Sequence, residues 1–163
     1  MNQTNPHDLE PLFHPESIAV VGASPEGNAG YDFVRKIQTF GFKGRIYPVN
    51  QKAAPVLGLT GYNRVSAIPD KVDYVIFAVP ASAVPDIMEE CVEKGVKLAH
   101  LFTARLGETG IQELAALEQR IVQIARSGNI RILGSNGMGL YYPKEGISFR
   151  ANYPKDPGDV GFI

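Results

Sequence analysis

A glycine- and serine-rich loop that follows a short apolar strand is the feature of this sequence with the clearest chemical meaning. The run reads Ile18-Ala-Val-Val-Gly-Ala-Ser24-Pro-Glu-Gly27-Asn-Ala-Gly30. Within it, Gly22-x-Ser24-x-x-Gly27 is a dinucleotide-binding fingerprint whose second glycine is replaced by serine. The backbone N–H groups of such a loop and the dipole of the helix after it favour an anion. The loop therefore predicts a site for a pyrophosphate group.

The residues after the second predicted strand narrow the class of ligand. A protein that binds NAD places an acidic residue about 20 residues beyond the glycine loop, where it binds a ribose hydroxyl. In this sequence the strand at 45–49 is followed by Asn50, Gln51 and Lys52. A cation at this point favours a ligand that carries an additional phosphate.

Apolar runs of strand length alternate with helical patterns along the chain. We predict strands at 17–22, 45–49, 74–79, 98–102 and 131–133, and helices at 29–40, 83–94 and 110–127. The strands are almost continuously apolar, which is typical of parallel strands covered on both faces. The alternation predicts a Rossmann-like, doubly wound α/β fold, with a mainly parallel sheet, helices on both faces and right-handed crossovers.

Residue types at the helix ends support these boundaries. Ser82 is predicted to cap the second helix, and Pro85 falls in its first turn, where a missing N–H is tolerated. Left-handed glycines are expected to end the three helices, at Gly41, Gly95 and Gly128. The third helix is predicted to bury one apolar stripe, formed by Ile111, Leu114, Leu117, Ile121 and Ile124. Glu108 and Glu113 are interpreted as charges of its first turn.

We divide the chain into an N-terminal extension at 1–16, the Rossmann-like domain at 17–140 and a C-terminal part at 141–163. Residues 58–63 suggest a minor strand at the sheet edge, and one further strand is predicted at 147–149. An apolar run begins again at residue 159 and is interrupted at Ile163. We therefore expect this polypeptide to be one domain of a longer protein.

Composition excludes several classes of function. The 16 basic and 17 acidic residues nearly balance, which argues against a nucleic-acid or anionic lipid surface. No apolar run reaches the length of a membrane span, and the start of the chain lacks a signal-peptide core, so a cytoplasmic protein is expected. Cys91 is interpreted as a buried thiol and His100 as a core residue. The histidines show no metal-ligand spacing, and no catalytic constellation is predicted.

The segments that follow the five strands are small, polar or rich in glycine. They are residues 22–30, 50–52, 80–82, 103–105 and 134–139. Because ligands of open parallel sheets bind at the carboxyl ends of the strands, these segments are expected to form one site. Taken one at a time, these residues have alternative interpretations. The glycine loop could be a simple turn, Pro80 and Pro85 could shape another turn, Ser24 and Thr103 could be caps, and Lys52 and Arg105 could be solvated surface charges.

The order of these motifs resembles that of a known family. The matching runs are Phe13-His-Pro-Glu-Ser-Ile-Ala-Val-Val-Gly-Ala-Ser24, Tyr47-Pro-Val-Asn50, Asp73-Tyr-Val-Ile-Phe-Ala-Val-Pro-Ala81, Gly134-Ser-Asn-Gly-Met-Gly139 and Pro157-Gly-Asp-Val-Gly-Phe-Ile163. Together they resemble the CoA-binding domain of acyl-CoA synthetases that form nucleoside diphosphates. ADP-forming acetyl-CoA synthetases are the nearer relatives, and the alpha subunit of succinyl-CoA synthetase is a more distant one.

This resemblance implies a ligand and a set of contacts. CoA would place its pyrophosphate on the glycine loop and its ribose 3′-phosphate near Lys52, while the stretches at 79–81 and 102–104 would line the path of the nucleotide and pantetheine. The implied CoA-binding residues are Gly22, Ala23, Ser24, Pro25, Gly30, Asn50, Lys52, Val79, Pro80, Ala81, Phe102, Thr103, Ala104 and Asn136.

The complete enzymes of this family convert acyl-CoA, ADP and phosphate reversibly into the acid, CoA and ATP. The resemblance implies CoA or acyl-CoA as the ligand here, and an ATP-grasp domain or subunit as the partner. In this family a histidine of a following domain carries the phosphoryl group, and ADP or ATP and magnesium would be bound outside the present chain. The chain alone is expected to bind CoA without turnover. Its oligomeric state, homo- or hetero-, is left open.

The sequence also departs from the family pattern. The loop Gly-Pro-Asn-Cys-x-Gly is here Gly134-Ser-Asn-Gly-Met-Gly139, without the proline and the cysteine, and Glu26 and Asn28 stand where a basic residue is frequent. Two alternatives therefore remain at this point. One is a regulatory or stand-alone CoA-binding module, and the other is an NADP-binding oxidoreductase domain in which Lys52 would bind a 2′-phosphate.

Overall fold

A five-stranded parallel sheet with helices on both faces forms the part of the chain that the structure describes, residues 9–158 of a computed structural model. The strands are β1 (Ser17–Val21), β2 (Arg45–Val49), β3 (Tyr74–Phe77), β4 (Leu98–Leu101) and β5 (Arg131–Leu133), and the α-helices are α1 (Ala29–Phe40), α2 (Val84–Lys94) and α3 (Gln112–Ser127). The predictions for the polar residues 1–8 and for the apolar run at 159–163 lie outside the described residues.

The strand order β2-β1-β3-β4-β5 confirms the predicted fold. Every strand pair is parallel, and all residues of β1, β3 and β4 are buried. Such burial requires cover on both faces, which explains why these strands lack an alternation of polar and apolar residues. β3 and β4 end one or two residues earlier than predicted, and the next residues already belong to the loops that shape the site.

The helices divide between the two faces according to the direction of the chain. From β1 the chain crosses to β2 through α1, and from β3 it runs the other way through α2 and α3. Right-handed crossovers in opposite directions place α1 on one face and α2 and α3 on the other. The buried side chains form two clusters, one on each face of the sheet. Val34 and Ile37 of α1 pack with Ile18 in one cluster, and Met88 of α2 and Ile121 of α3 belong to the other.

Cys91 lies in the cluster beneath α2 and is fully buried, as predicted. Burial, with a contribution from the nearby Glu90 carboxylate, raises the pKa of this thiol well above its ordinary value. A thiol with a raised pKa stays protonated at neutral pH and is a poor nucleophile. Cys91 is therefore a small apolar core residue of the molecule.

The segment after β5 covers the part of the sheet that α1 leaves open. Ile147 is 3% exposed and packs with Ile18 and Val34. The His14 imidazole joins this segment to the residues before β1, because its Nδ1 lies 2.7 Å from the Glu145 carboxylate. The segment around Glu145 and Ile147 is thus packed on the sheet domain.

Two predicted helix ends are wrong. Ser82 does not cap α2, because residues Ala81–Ala83 form a 3-10 turn and Ala83 occupies the N-cap position. Gly128 has φ of −96°, and Asn129 instead takes the left-handed conformation, with φ of 55°. Asparagine tolerates that conformation, so the sequence allowed either residue. Gly41 and Gly95 are left-handed, as predicted.

The start of α3 and two minor strands also differ from prediction. Residues Gly107–Thr109 form a separate 3-10 turn that contains Glu108, so α3 begins later and Ile111 is 46% exposed. The minor strand predicted at 58–63 is only a single bridge, in which Tyr62 pairs with Val49. The strand predicted at 147–149 is likewise a single bridge, between Ile147 and Tyr142.

Candidate functional site

A cleft opens where the chain leaves the sheet in opposite directions, at the carboxyl ends of β1 and β3. Its volume is about 580 Å³. This is the switch point at which open parallel sheets bind ligands. The first loop contributes Gly22, Ser24 and Pro25 to its wall. The loops after β2 and β3 contribute Asn50, Lys52, Val79 and Pro80.

Two glycines allow the first loop to pack closely against its neighbours. Gly22 has φ of +90°, and a Cβ atom there would collide with the carbonyl oxygen of Ala78. A Cβ atom on Gly30 would lie 2.6 Å from the backbone nitrogen of Ala23. Helix α1 can therefore begin directly against the end of β1. Gly27 faces open space, so Gly30, and not Gly27, provides the close contact between helix and strand.

Asn28 holds the first loop in shape, a role that was not predicted from the sequence. Its Nδ2 donates to the Gly22 carbonyl at 2.7 Å. Its Oδ1 accepts from the N–H groups of Tyr31 at 2.9 Å and Ser24 at 3.3 Å. The asparagine immediately before a helix was a recognisable N-cap signal. The Ser24 hydroxyl closes the next turn by accepting from the Glu26 N–H at 3.3 Å.

At the end of β2, Asn50 shapes the turn that presents Lys52. The Asn50 side chain accepts from the Ala54 N–H and donates to the Ala54 carbonyl, both at 2.9 Å. Lys52 is exposed and lines the cleft. Asn50 is thus a structural element of the site, while Lys52 offers it a positive charge.

A second cation, Arg64, lines the cleft and was not predicted from the sequence. It follows Tyr62, which pairs with the end of β2. Its guanidinium binds Glu90 of α2, with Nε at 3.2 Å and Nη2 at 3.0 Å from the same carboxylate oxygen. The two residues are 26 positions apart in the chain, so no local pattern could reveal the pair.

The remaining predicted residues lie beside the cleft or beneath it. Ala23 and Gly30 are buried under the first loop, and Ala81 begins the turn before α2. Thr103 is buried, and its hydroxyl donates to the Val79 carbonyl at 3.1 Å. Phe102, Ala104 and Asn136 follow β4 and β5 and do not line the cleft. Thr103 therefore ties the loop after β4 to the one after β3.

A model of the family described as CoA binding domain matches residues 16–143. The chain belongs to this CoA-binding domain family. The match contains the complete sheet, the three helices and every residue that lines the cleft.

Curated relatives and a solved structure support this assignment. The domain is 40% identical over 159 residues to the ADP-forming acetate–CoA ligase II of Archaeoglobus fulgidus, covering 96% of this chain and 24% of that protein. It is 41% identical over 140 residues to the alpha subunit of ADP-forming acetate–CoA ligase I of Pyrococcus furiosus, and the match covers 82% of this chain and 30% of that subunit. A solved structure of acetyl-coenzyme A synthetase 1 from Candidatus Korarchaeum cryptofilum, in complex with phosphate and ADP, is also similar. The sequence identity is 39% and the TM-score is 0.83, and the match covers 92% of this chain and 32% of that chain.

These matches confirm that the CoA-binding domain is homologous to a domain or subunit of ADP-forming acetate–CoA ligases. The chain spans about a quarter to a third of the length of these relatives. Among residues 9–158, no helix has the length and apolar character needed to cross a membrane. The same residues contain no cluster of three or more His, Cys, Asp and Glu placed to hold a metal ion.

Glu118 of α3 connects the two loops on the β4 and β5 side of the CoA-binding domain. One carboxylate oxygen accepts from the Ser135 hydroxyl at 2.9 Å, and the other accepts from the Gly107 N–H at 3.1 Å. Neither contact had a signal in the sequence, because helix and loops meet only in the folded molecule. Glu118 thereby fixes Ser135 in the divergent loop at 134–139.

His100 supports that same loop from the core of the CoA-binding domain. It is fully buried beside the ring of Phe33, as predicted for a core residue. Its Nε2 lies 2.7 Å from the Gly137 carbonyl oxygen, which can only accept, so Nε2 carries the proton. Burial lowers the pKa of the imidazole, although the Gly137 contact opposes this, and the ring is neutral at pH 7.

Proposed function

We propose that the chain provides the CoA site of an ADP-forming acyl-CoA synthetase. In this reaction acyl-CoA, ADP and phosphate are converted reversibly into the acid, CoA and ATP. One observation carries the proposal. The residues that match the CoA binding domain contain a cleft at the switch point of the sheet, with Lys52 at the end of β2.

We place the adenosine part of CoA in the cleft and its pyrophosphate on the first loop. Gly22, Ser24 and Pro25 line that loop, and the N-terminal end of α1 lies behind it. The positive end of the helix dipole favours the pyrophosphate charge. Lys52 would pair with the 3′-phosphate of the ribose. Asn50 and Ala23 would hold the loops in position rather than contact the ligand through their side chains.

The pantetheine arm would leave the cleft past the ends of β3 and β4. Val79, Pro80 and Ala81 form the first part of this path, and Phe102, Thr103 and Ala104 form the second. The hydrogen bond from Thr103 to the Val79 carbonyl supports the proposal, because it holds these two stretches side by side. Asn136 would then face the thiol end, since its N–H donates to the Thr103 carbonyl at 3.1 Å.

A partner is required for the rest of the reaction. We propose that an ATP-grasp domain or subunit binds ADP or ATP with magnesium, and that a phosphohistidine carries the phosphoryl group between the two sites. The similarity to the alpha subunit of an ADP-forming acetate–CoA ligase in Pyrococcus furiosus supports a partner of this kind. We also propose a cytoplasmic location, because the proposed ligands, CoA and nucleotides, are cytoplasmic metabolites.

The test is a calorimetric titration of the chain with CoA, 3′-dephospho-CoA and NADP, together with Lys52→Ala. A charge-assisted hydrogen bond contributes about 1.5–3 kcal/mol, so Lys52→Ala is expected to weaken CoA binding by about 10- to 100-fold. Binding of 3′-dephospho-CoA should be weak in the wild type and insensitive to the substitution. Lys43→Ala is the control, because Lys43 is exposed and lies outside the cleft.

Failure of the wild-type chain to bind CoA at millimolar concentration would contradict the proposal. Binding of NADP without binding of CoA would favour an oxidoreductase domain instead. If CoA binds and Lys52→Ala leaves its affinity unchanged, the ligand is right and the position of the 3′-phosphate is wrong.

A further inference from the structure

We propose that Arg64 is a second specificity residue of the cleft and binds the ribose phosphate of the ligand together with Lys52. The inference rests on the proposed CoA site and extends it. In this proposal two cations recognise the phosphomonoester. The first loop and the helix dipole do not contribute to its recognition.

The backbone brings Arg64 next to the turn that carries Lys52. Tyr62 pairs in parallel with Val49, and the Asn50 N–H donates to the Tyr62 carbonyl at 2.9 Å. Neighbouring strands lie about 4.8 Å apart. Residues 63 and 64 therefore leave the sheet at the same end as residues 50–52, and both cations reach the wall of one cleft.

Glu90 holds the Arg64 guanidinium in a defined orientation. Both Nε and Nη2 donate to a single oxygen of the Glu90 carboxylate, and the other oxygen accepts from the Ser66 N–H at 3.2 Å and from its hydroxyl at 3.3 Å. A guanidinium has five N–H donors. Within residues 9–158 the guanidinium has no other hydrogen-bond partner, so Nη1 and the second hydrogen of Nη2 are available to a ligand.

The exposure of the two partners supports this orientation. The Arg64 side chain is 58% exposed, whereas that of Glu90 is 16% exposed. Both residues line the cleft, and the carboxylate is the more buried partner of the pair. Because a phosphate group accepts bidentate hydrogen bonds from a planar guanidinium, an oriented arginine is well suited to bind it.

The charges around the cleft show why one lysine is insufficient. A phosphomonoester carries about −1.5 to −2 at pH 7. Lys52 shares the cleft with the carboxylates of Glu26 and Glu90. Arg64 pairs with Glu90 and compensates its charge, which leaves the wall beside Lys52 free of an uncompensated buried anion. Given the proposed CoA site, the group that this pair of cations favours is the phosphomonoester on the ribose of the nucleotide.

The experiment compares CoA with 3′-dephospho-CoA in calorimetric titrations of the wild type, Arg64→Ala and Arg64→Lys. Arg64→Ala is expected to weaken CoA binding about tenfold or more, as for the loss of a charge-assisted contact, and to leave 3′-dephospho-CoA within about twofold. Arg64→Lys keeps the charge without the fork, so its affinity for CoA should fall between those of Arg64→Ala and the wild type.

Arg120→Ala is the matched control. Arg120 is 59% exposed and pairs with Glu89, the neighbour of Glu90 on α2, at 3.7 Å, but it does not line the cleft. Its substitution should leave both affinities unchanged. Thermal unfolding of each variant shows whether the fold is retained, and Arg64→Lys carries the test if Arg64→Ala is unfolded.

Two results would overturn the inference. Unchanged CoA affinity in Arg64→Ala and Arg64→Lys would show that Arg64 does not meet the ligand, and equal loss for CoA and 3′-dephospho-CoA would assign it to another part of the ligand. Both results require a wild type that binds CoA. A wild type that binds neither ligand would instead contradict the proposed CoA site itself.

Discussion

Gly22 shows how one residue determines the shape of the cleft wall. Its left-handed φ and its contact with the Ala78 carbonyl are separate requirements, and glycine meets both. Gly27, in the same loop, has the same φ of +90° but nothing within 4 Å of an added Cβ atom. Comparing the two glycines therefore distinguishes the effect of backbone conformation, which they share, from that of close packing, which applies only to Gly22.

We expect Gly22→Ala to destabilise the protein more than Gly27→Ala. Both variants place alanine in a left-handed conformation, at about 1–2 kcal/mol. Only Gly22→Ala adds a collision with backbone atoms, which in a packed interior adds typically about 1–3 kcal/mol. Chemical denaturation monitored by circular dichroism measures the difference. Equal losses in the two variants would show that Ala78 moves away at no cost.

At the scale of elements, α3 positions loops that are remote in sequence. The helix buries Ile121 and Ala125 against the sheet, and its first half presents Glu118 to the loops after β4 and β5. Those loops carry Thr103, Ala104 and Asn136 of the proposed CoA path. Their arrangement thus depends on a carboxylate that lies outside the lining of the cleft.

We expect Glu118→Ala to lower the free energy of unfolding by about 1–3 kcal/mol, because two donors lose a charged acceptor. Glu118→Gln retains an acceptor oxygen and should lose less. The exposed neighbour Gln119 provides the control, since Gln119→Ala should stay within about 0.5 kcal/mol of the wild type. Urea denaturation measures all three variants. A Glu118→Ala variant as stable as the control would mean that the loops hold their positions without this residue.

At the scale of the whole molecule, the face that carries only α1 is completed by the segment after β5. Tyr142, Ile147 and Phe149 cover that face, and Gly146 lies so close to Gly41 that an added Cβ atom would be 2.6 Å from its carbonyl carbon. The residues between Tyr142 and Phe149 therefore pack on the same core as α1, although the sequence pattern changes at residue 141.

We expect Ile147→Ala to destabilise the protein by about 2–5 kcal/mol, as is usual for removing a buried isoleucine side chain. Ile111→Ala makes the same chemical change at a position that is 46% exposed, and it should change stability by less than about 0.5 kcal/mol. Differential scanning calorimetry of both variants tests this. Similar melting temperatures for the two would show that the segment adds little to the fold.

The sequence alone determined the fold and the centre of the site. The strands, the helices and their alternation follow from local periodicity, and a doubly wound sheet has one switch point, so the loops after β1, β2 and β3 had to meet. Gly22 and Lys52 could be placed at this cleft because their signals are local: a glycine at the end of a strand and a cation where NAD-binding proteins have an acidic residue. The CoA family could be recognised because its motifs occur in the right order.

The tertiary structure decided which side chains complete the site. Arg64 pairs with Glu90, and Glu118 contacts Gly107 and Ser135, so both sets of contacts join residues that are distant in the chain. In the first pair, the more buried Glu90 orients the Arg64 guanidinium. The exposed Ile111 and the late start of α3 have the same origin, because Glu108 accepts from the N–H groups of Arg105 and Leu106 and stabilises a separate turn. Such long-range and competing contacts leave no periodic trace in a sequence, and only the folded chain selects among them.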